Sequence, residues 1–331
     1  MATAAADKVM IDGFGRRIDY VRLSVTDRCN LRCRYCMTEG TRFLPRAELL
    51  TLDEIVALAG ILVGRGVRRI RLTGGEPLVR RDIVEIALTL GRLEGLEELT
   101  LTTNGTRLAG LAAQLGEAGI RRINVSLDSL DPERFAAITR GGELGQAIAG
   151  IEAASAAGLA IKINMVALRD ANEDEFASML SWCGRRGFDL TLIEAMPVGE
   201  VEEDRSAQHL PLDGVRRTLE QSFTLIPTLV RTGGPARYFE VAETGTRLGF
   251  ITPLSDNFCA GCNRIRVSAT GTVYGCLGHD QKVELRDLLR SGGARAVESA
   301  LDMLIAGKPK RHDFRIGGAP AVARHMNVTG G

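Results

Sequence analysis

The sequence has almost no net charge: 42 Lys and Arg stand against 41 Asp and Glu, a formal +1 at neutral pH. No global field holds duplex nucleic acid or an anionic membrane, so any polyanion must be met by a local cluster of cations. Long hydrophobic runs are also missing, with no stretch of the roughly 18 uncharged apolar residues that a membrane-spanning helix needs. The opening from Met1 to Lys8 has no basic segment followed by an apolar one, so no secretory signal is read and a cytoplasmic location is expected. Low-complexity tracts and short fixed-period repeats are absent too, which excludes solenoid arrays. Seven cysteines in 331 residues are too few for a disulfide scaffold, and an odd number besides. In a reducing compartment, metal ligation or redox chemistry comes first.

What the chain contains is ordinary in amount and regular in order. Apolar residues make up 45% and charged residues 25%, which permits a sizeable core and excludes disorder, collagen and coiled coil. The length fits one large domain or two modest ones. From Tyr20 to about Pro197, short β-branched runs (21–25, 69–72, 99–102, 123–127, 161–166, 190–193) alternate with helical periodicity (52–63, 82–93, 108–118, 132–138, 144–157, 173–185). Thr51 and Asp131 stand where helices start, and Gly119, Gly158 and Gly187 where they stop. Six strand-helix units in series predict parallel strands with right-handed crossovers, two units short of a closed eightfold barrel. The expected fold is therefore α/β: an open six-unit (β/α) partial TIM barrel over 1–197 and a smaller C-terminal α+β cluster-binding region over 198–331. That region is predicted to hold a helix at 212–221, strands at 238–241 and 248–251, a hairpin of 265–267 with 273–274, and helices at 283–289 and 294–304.

Cys29, Cys33 and Cys36 form C-x3-C-x2-C just after the first strand. A closed structural zinc site wants a fourth ligand, and the nearest histidine is distant His209. Three thiolates on a four-iron cluster leave one iron open for substrate or cofactor; the competing reading is three incidental thiols on a buried turn. Polar residues recur where the strands end. Thr73 to Glu76 follow the second, Thr102 to Gly105 the third, Ser126 and Asp128 the fourth, and Glu194 and Met196 the sixth. Lys162 and Asn164 alternate with apolar residues in the fifth. Ligand-binding residues of barrels gather at such ends, which points to one shared cavity. This cysteine spacing, with Tyr35 before the last thiol, resembles the radical S-adenosylmethionine superfamily. Thr73-Gly74-Gly75-Glu76-Pro77 looks like that family's glycine-rich segment for the methionyl amine. The resemblance implies a [4Fe-4S] cluster whose open iron binds S-adenosylmethionine and cleaves it to a 5'-deoxyadenosyl radical.

A second set, Cys259, Cys262 and Cys276, spans the predicted hairpin as C-x2-C-x13-C. His279 would complete a Cys3His zinc site, so on the residues alone zinc and an iron-sulfur cluster both stay open. Arg264 and Arg266 share a strand face and offer guanidinium forks to a triphosphate. Together with Asp27-Arg28-Cys29-Asn30, Phe43-Leu44-Pro45-Arg46, Ile193-Glu194-Ala195-Met196 and Gly330-Gly331, the second set resembles the GTP 3',8-cyclases of molybdenum cofactor biosynthesis. The likeness runs from Gly13 to Gly331.

The resemblance implies a second [4Fe-4S] cluster on Cys259, Cys262 and Cys276, with its open iron on guanine. It implies S-adenosylmethionine contacts at Tyr35, Gly75, Ser126 and Met196, and GTP contacts at Arg22, Arg71, Thr102, Lys162, Arg264, Ile265 and Arg266. The terminal glycines are expected to enter the active site. In the implied reaction hydrogen leaves ribose C3', C3' attacks purine C8, and reduction with protonation gives (8S)-3',8-cyclo-7,8-dihydroguanosine 5'-triphosphate. Implied partners are an external electron donor, the enzyme that makes cyclic pyranopterin monophosphate, and a second copy in a homodimer, with no nucleic acid or membrane. Two competing functions are another two-cluster radical enzyme and a non-catalytic zinc-binding interaction protein. Cys183, beside Trp182 in an apparent helix, reads as a core thiol.

Overall fold

The computed structural model describes residues 9–330. Met1 to Lys8, on which the reading of the N-terminal signal falls, and Gly331, the last residue of the terminal pair, lie outside the described residues. The first part alternates β1 (Tyr20–Ser24), α1 (Leu52–Gly64), β2 (Arg69–Thr73), α2 (Ile83–Gly91), β3 (Glu98–Thr103), α3 (Ala112–Glu117) and β4 (Arg122–Ser126). It continues through α4 (Pro132–Thr139), α5 (Leu144–Ala156), β5 (Ala160–Ala167), α6 (Phe176–Arg185) and β6 (Asp189–Glu194). Local chemistry sets these bounds. At α1 a reciprocal capping box forms: Glu54 N donates to Thr51 Oγ1 at 3.2 Å, and Thr51 N donates to Glu54 Oε2 at 2.8 Å. Asp131 caps α4 ahead of Pro132. Gly119, Gly158 and Gly187 follow helices with left-handed φ of 94°, 76° and 70°, a conformation free of cost only without a Cβ.

The strands are two-faced. Val21, Leu23, Ile70, Leu72, Leu101, Ile123, Val125, Ile163, Leu190 and Leu192 are buried on the face that the helices cover. Residues between them, Arg22, Arg71, Thr100, Asn124, Lys162 and Asn164, occupy the other face. Cys183 is buried in α6 with Trp182, as a core thiol.

The remainder adds α7 (Arg205–Gln208), α8 (Leu212–Leu219), β7 (Leu225–Pro227), β8 (Arg237–Val241), β9 (Arg247–Ile251), β10 (Arg264–Val267), β11 (Thr272–Tyr274), β12 (Lys282–Glu284), α9 (Arg286–Ser291), α10 (Gly293–Ala306) and α11 (Met326–Thr329). Among the described residues the strands form one open sheet in the order β12-β11-β10-β1-β2-β3-β4-β5-β6-β9-β8-β7. Six parallel strands run in sequence from β1 to β6. Two more from the C-terminal region join parallel at their edges, β10 on β1 and β9 on β6. Sequence patterning alone places these two strands in a separate smaller unit, whereas in the fold they extend the main sheet. An edge strand with unpaired N–H and C=O groups needs cover, and these strands supply it. Lys282–Glu284 pair with β11, so the helix expected from 283 begins instead at Arg286.

Helix α5 packs backbone to backbone on the loop after β3, where a Cβ at Gly150 would overlap the Gly105 carbonyl oxygen. Gly150→Ala is expected to cost about 1–3 kcal/mol, read as a lower urea midpoint with an unchanged slope.

Candidate functional site

After β1 the chain enters the first cysteine loop, which hangs on the end of α4. Arg32 N and Arg34 N donate to the Thr139 and Ile138 carbonyls at 3.0 Å each, satisfying groups that a helix end leaves unpaired. Cys36 N donates to Cys33 O at 2.9 Å, closing the turn that carries two of the thiols. Arg140, in a left-handed conformation (φ 55°) just past α4, donates to Met37 O at 3.2 Å and pairs with Glu39 and Glu202. Cys29, Cys33 and Cys36 thereby line a cavity of about 620 Å³, partly open to solvent, with Tyr35, Gly75, Thr102 and Ser126.

Burial pushes the Cys29 thiol up to about 11 and also raises Cys33 and Cys36. Thiols so disfavoured as anions become ligands only around a cation, as an iron centre provides. A Cβ at Gly75 would stand 2.5 Å from Arg28 O, so the backbone there lies against the loop with no room for a side chain. Tyr35 Oη donates to Asp128 Oδ2 at 2.6 Å, and Asp128 Oδ1 accepts from Val166 N at 2.8 Å. Burial lifts Asp128 to about 6.

The second cysteine set lines another cavity, about 1060 Å³ including space open to solvent. Cys259, Cys262 and Cys276 share it with Arg22, Arg71, Lys162, Arg264 and Arg266. No Asp or Glu is among the described residues that line it. Burial, with Arg266 and Arg71 nearby, lowers Arg22; burial and Arg264 bring Arg266 down to about 10; burial, Arg71 and Arg122 lower Lys162. Five mutually repelling cations are thus gathered where an anion would relieve them. Burial pushes the Cys262 thiol up, but Arg264, Lys308, a backbone N–H and Arg16 outweigh it and bring the group to about 7. Lys308 Nζ lies 3.6 Å from Cys262 Sγ and donates to Gly275 O.

The cavities stack along the same strands. Arg71 and Asn124 line the cationic one, while Thr73 and Ser126, two residues further on, line the first. Tyr20 pairs with Arg264 and Ser24 with Thr73, so the second cysteine set lies at the opening ends of these strands and the first set beyond their closing ends. Four residue steps separate those levels, about 13 Å at the usual strand rise. Facing inward between them, Arg22 Nε, Thr73 Oγ1, Thr102 Oγ1, Asn124 Oδ1 and Asn164 Oδ1 are buried without a hydrogen-bond partner. Such orphans mark a place made for a polar ligand. Gly330 sits at this level too: its carbonyl accepts from Arg266 Nη1 at 2.6 Å, and a Cβ there would collide with Thr73.

Most of the expected residues come together, with three departures. Thr102, expected on GTP, lines the first cavity, and Met196, expected on S-adenosylmethionine, lines the cationic one. The Ile265 side chain is buried in the core, because period-two alternation turns it away from Arg264 and Arg266. Asn124, His312, Phe314 and the segment from Thr232 to Ala236 line the cationic cavity without having been singled out. Asn124 was legible by its alternation with Ile123 and Val125; the others come from loops that carry no period.

The second set does not build the Cys3His zinc site. His279 Nε2 meets Arg311 O at 2.9 Å instead. Among the described residues no three His, Cys, Asp or Glu groups converge as one metal ion requires.

Residues 23–183 match the Radical SAM superfamily and residues 188–314 match Molybdenum Cofactor Synthesis C. A GTP 3',8-cyclase of Erythrobacter litoralis (strain HTCC2594) is 58% identical over 327 residues, 97% of this chain and 98% of that protein. The chain belongs to the GTP 3',8-cyclase family. A second member, from Rhizobium meliloti (strain 1021), is 55% identical over 97% of this chain and 94% of its own length. The crystal structure of Streptococcus suis SuiB bound to S-adenosylmethionine shares the fold, with a TM-score of 0.61 at 15% identity over 94% of this chain and 77% of that one. The family is a radical S-adenosylmethionine one, so the cyclase fold brings an iron-sulfur cluster and S-adenosylmethionine. No helix among the described residues is long and apolar enough to cross a membrane.

Glu76 ties the glycine-rich turn to β3, accepting from Leu78 N at 2.9 Å and from Thr103 Oγ1 and Asn104 N at 2.7 Å each. Burial nevertheless raises it from 4.5 to about 7. The folded chain then holds this proton more tightly than the unfolded one, so its contribution is full below about pH 4.5 and is lost as pH rises through 7. Urea midpoints should show the stability gap between the protein and Glu76→Gln changing across that window. A pH-independent gap would contradict the assignment.

Proposed function

We propose that this chain converts GTP to (8S)-3',8-cyclo-7,8-dihydroguanosine 5'-triphosphate in molybdenum cofactor biosynthesis, with two [4Fe-4S] clusters. One is held by Cys29, Cys33 and Cys36, and the other by Cys259, Cys262 and Cys276. The observation that carries this reading is the cavity of five cations without a lining carboxylate, stacked directly below a thiol-lined cavity with a glycine cradle. The residue range 1–197 serves S-adenosylmethionine and 198–331 completes the nucleotide site.

When bound, a cluster open at one iron supplies the one-electron cleavage of S-adenosylmethionine from which hydrogen abstraction at ribose C3' starts. Everything else falls to the protein. Arg264 and Arg266 on β10, with Arg22 and Arg71 on the adjoining strands, grip a triphosphate through paired guanidinium hydrogen bonds. Lys162 holds the nucleoside from β5, and Thr102, which lines the first cavity but shares a strand row with Asn124 and Lys162, meets it where the two cavities adjoin. Ile265 contributes through its backbone alone. Tyr35, Gly75 and Ser126 hold S-adenosylmethionine, with Gly75 letting the backbone approach the methionyl end, and Met196, which lines the cationic cavity just past the closing end of β6, meets it from that side. Fixing ribose in near-attack contact and excluding water keeps a reactive radical from bystanders. An external donor supplies the electrons.

Anaerobic protein should contain about eight irons and matching sulfide per chain if both sets carry four-iron clusters; zinc without sulfide would favour an interaction module. 5'-Deoxyadenosine should form only with GTP present. Arg264→Ala and Arg266→Ala should each weaken GTP binding at least tenfold, about 1.4 kcal/mol, while S-adenosylmethionine still binds. Deoxyadenosine accumulating equally without GTP counts against the substrate.

A further inference from the structure

We propose that Tyr238 is a positioning residue for nucleotide recognition, joining Lys162 inside the barrel to the segment 231–236, which lines the cationic cavity through Thr232 and 234–236. This rests on the reading that the cavity takes GTP.

Register brings the tyrosine there. Tyr238 of β8 pairs with Gly249 of β9, which pairs with Thr191 of β6, which pairs with Asn164 of β5, so the four form one row across the inner face of the sheet. A Cβ at Gly249 would lie 2.8 Å from Tyr238 Cε1 and 3.0 Å from Thr191 Oγ1. The ring therefore lies across the glycine, through a gap that any side chain would close. Tyr238 is 3% exposed, and its ring centroid is 4.9 Å from Lys162 Nζ.

The hydroxyl has two partners. Lys162 Nζ bonds to Tyr238 Oη, and Thr232 Oγ1 lies 2.9 Å from the same oxygen. Lys162 Nζ donates and Oη accepts, while between Oη and Thr232 Oγ1 either hydroxyl can supply the proton. Thr232 is followed by Gly234, Pro235 and Ala236, all lining the cavity with Lys162. Gly233, at φ 68°, turns the segment down over the Arg69 side chain. One hydroxyl thus fixes the aim of a cation inside the barrel and the seat of the loop outside it. Burial beside Arg71 and Arg122 lowers Lys162, so an anion that steadies its charge also strengthens its hold on Oη. Nucleotide binding and loop seating then reinforce each other.

The test uses anaerobic holoprotein and two variants, Tyr238→Phe and Thr232→Val, which cut the relay on either side. Exposed Arg231 beside Thr232 gives trypsin a cleavage point in the segment. In the unaltered protein GTP should slow that cleavage at least fivefold. Each variant should lose this protection, and Tyr238→Phe should also weaken GTP about tenfold and raise its KM more than it lowers kcat, with S-adenosylmethionine affinity unchanged. Variants that bind and protect like the parent overturn the proposal. If Tyr238→Phe fails to fold, Thr232→Val decides alone: retained protection refutes the relay. Failure of the unaltered protein to bind GTP would sink the functional reading instead, a result distinct from either.

Discussion

A barrel of parallel strands ordinarily fills its own middle with layers of branched apolar side chains. This one places arginine, lysine, asparagine and threonine there. Arg266, Arg22, Arg71 and Thr100 stand in one row across four strands, and Thr102, Asn124 and Lys162 in another. The interior therefore contributes little cohesion, and the helices on the outer face must hold the sheet through residues such as Leu58, Leu62, Ile86 and Leu90. Everything about the site follows from that inversion. It leaves a polar shaft open to ligands and concentrates positive charge, and it lets small residues such as Gly249 and Gly330 matter, because side chains and backbone from remote parts of the chain are drawn into the same space.

The two ends of the shaft differ in electrostatics as much as in position. Around the first cysteines the neighbouring ionisable groups include Asp128 and Glu76, both raised by burial, whereas the second set is ringed by Arg16, Arg264 and Lys308. An anionic substrate is drawn to the cationic end. The charge asymmetry adds to the difference in cavity size in sorting a nucleoside triphosphate from a cationic sulfonium.

Much of this was legible in the sequence because it has local causes. The six strands and their helices follow from periodicity, and Thr51 and Asp131 mark helix starts through hydrogen bonds made within four residues. The cysteine trios were visible by spacing, and Arg264 and Arg266 by sharing a strand face. What escaped depends on contacts between distant segments. Nothing within 247–251 or 264–267 says that these strands join the barrel edges, because their partners lie some 60 and 240 residues away. Tyr238 reads as one more alternating strand residue until Gly249 is laid beside it. That Met196 lines the cationic cavity and Thr102 the first one turns on which side of one strand level each occupies, a matter of a few ångströms that no pattern encodes.

The pairing of β1 with β10 also bears on how the molecule is made. Asn263, at the start of β10, bonds Asp19, at the start of β1, across 244 residues. At ordinary ribosomal speeds of 5–20 residues per second, about 10–50 s pass between the emergence of the two. For that interval the nascent sheet has a bare flank at β1, and the shaft it will enclose has only part of its wall. Closure waits on translation of the last fifth of the chain, so the molecule spends its youth as an unsealed half-shell that must be kept from pairing with its neighbours on the polysome.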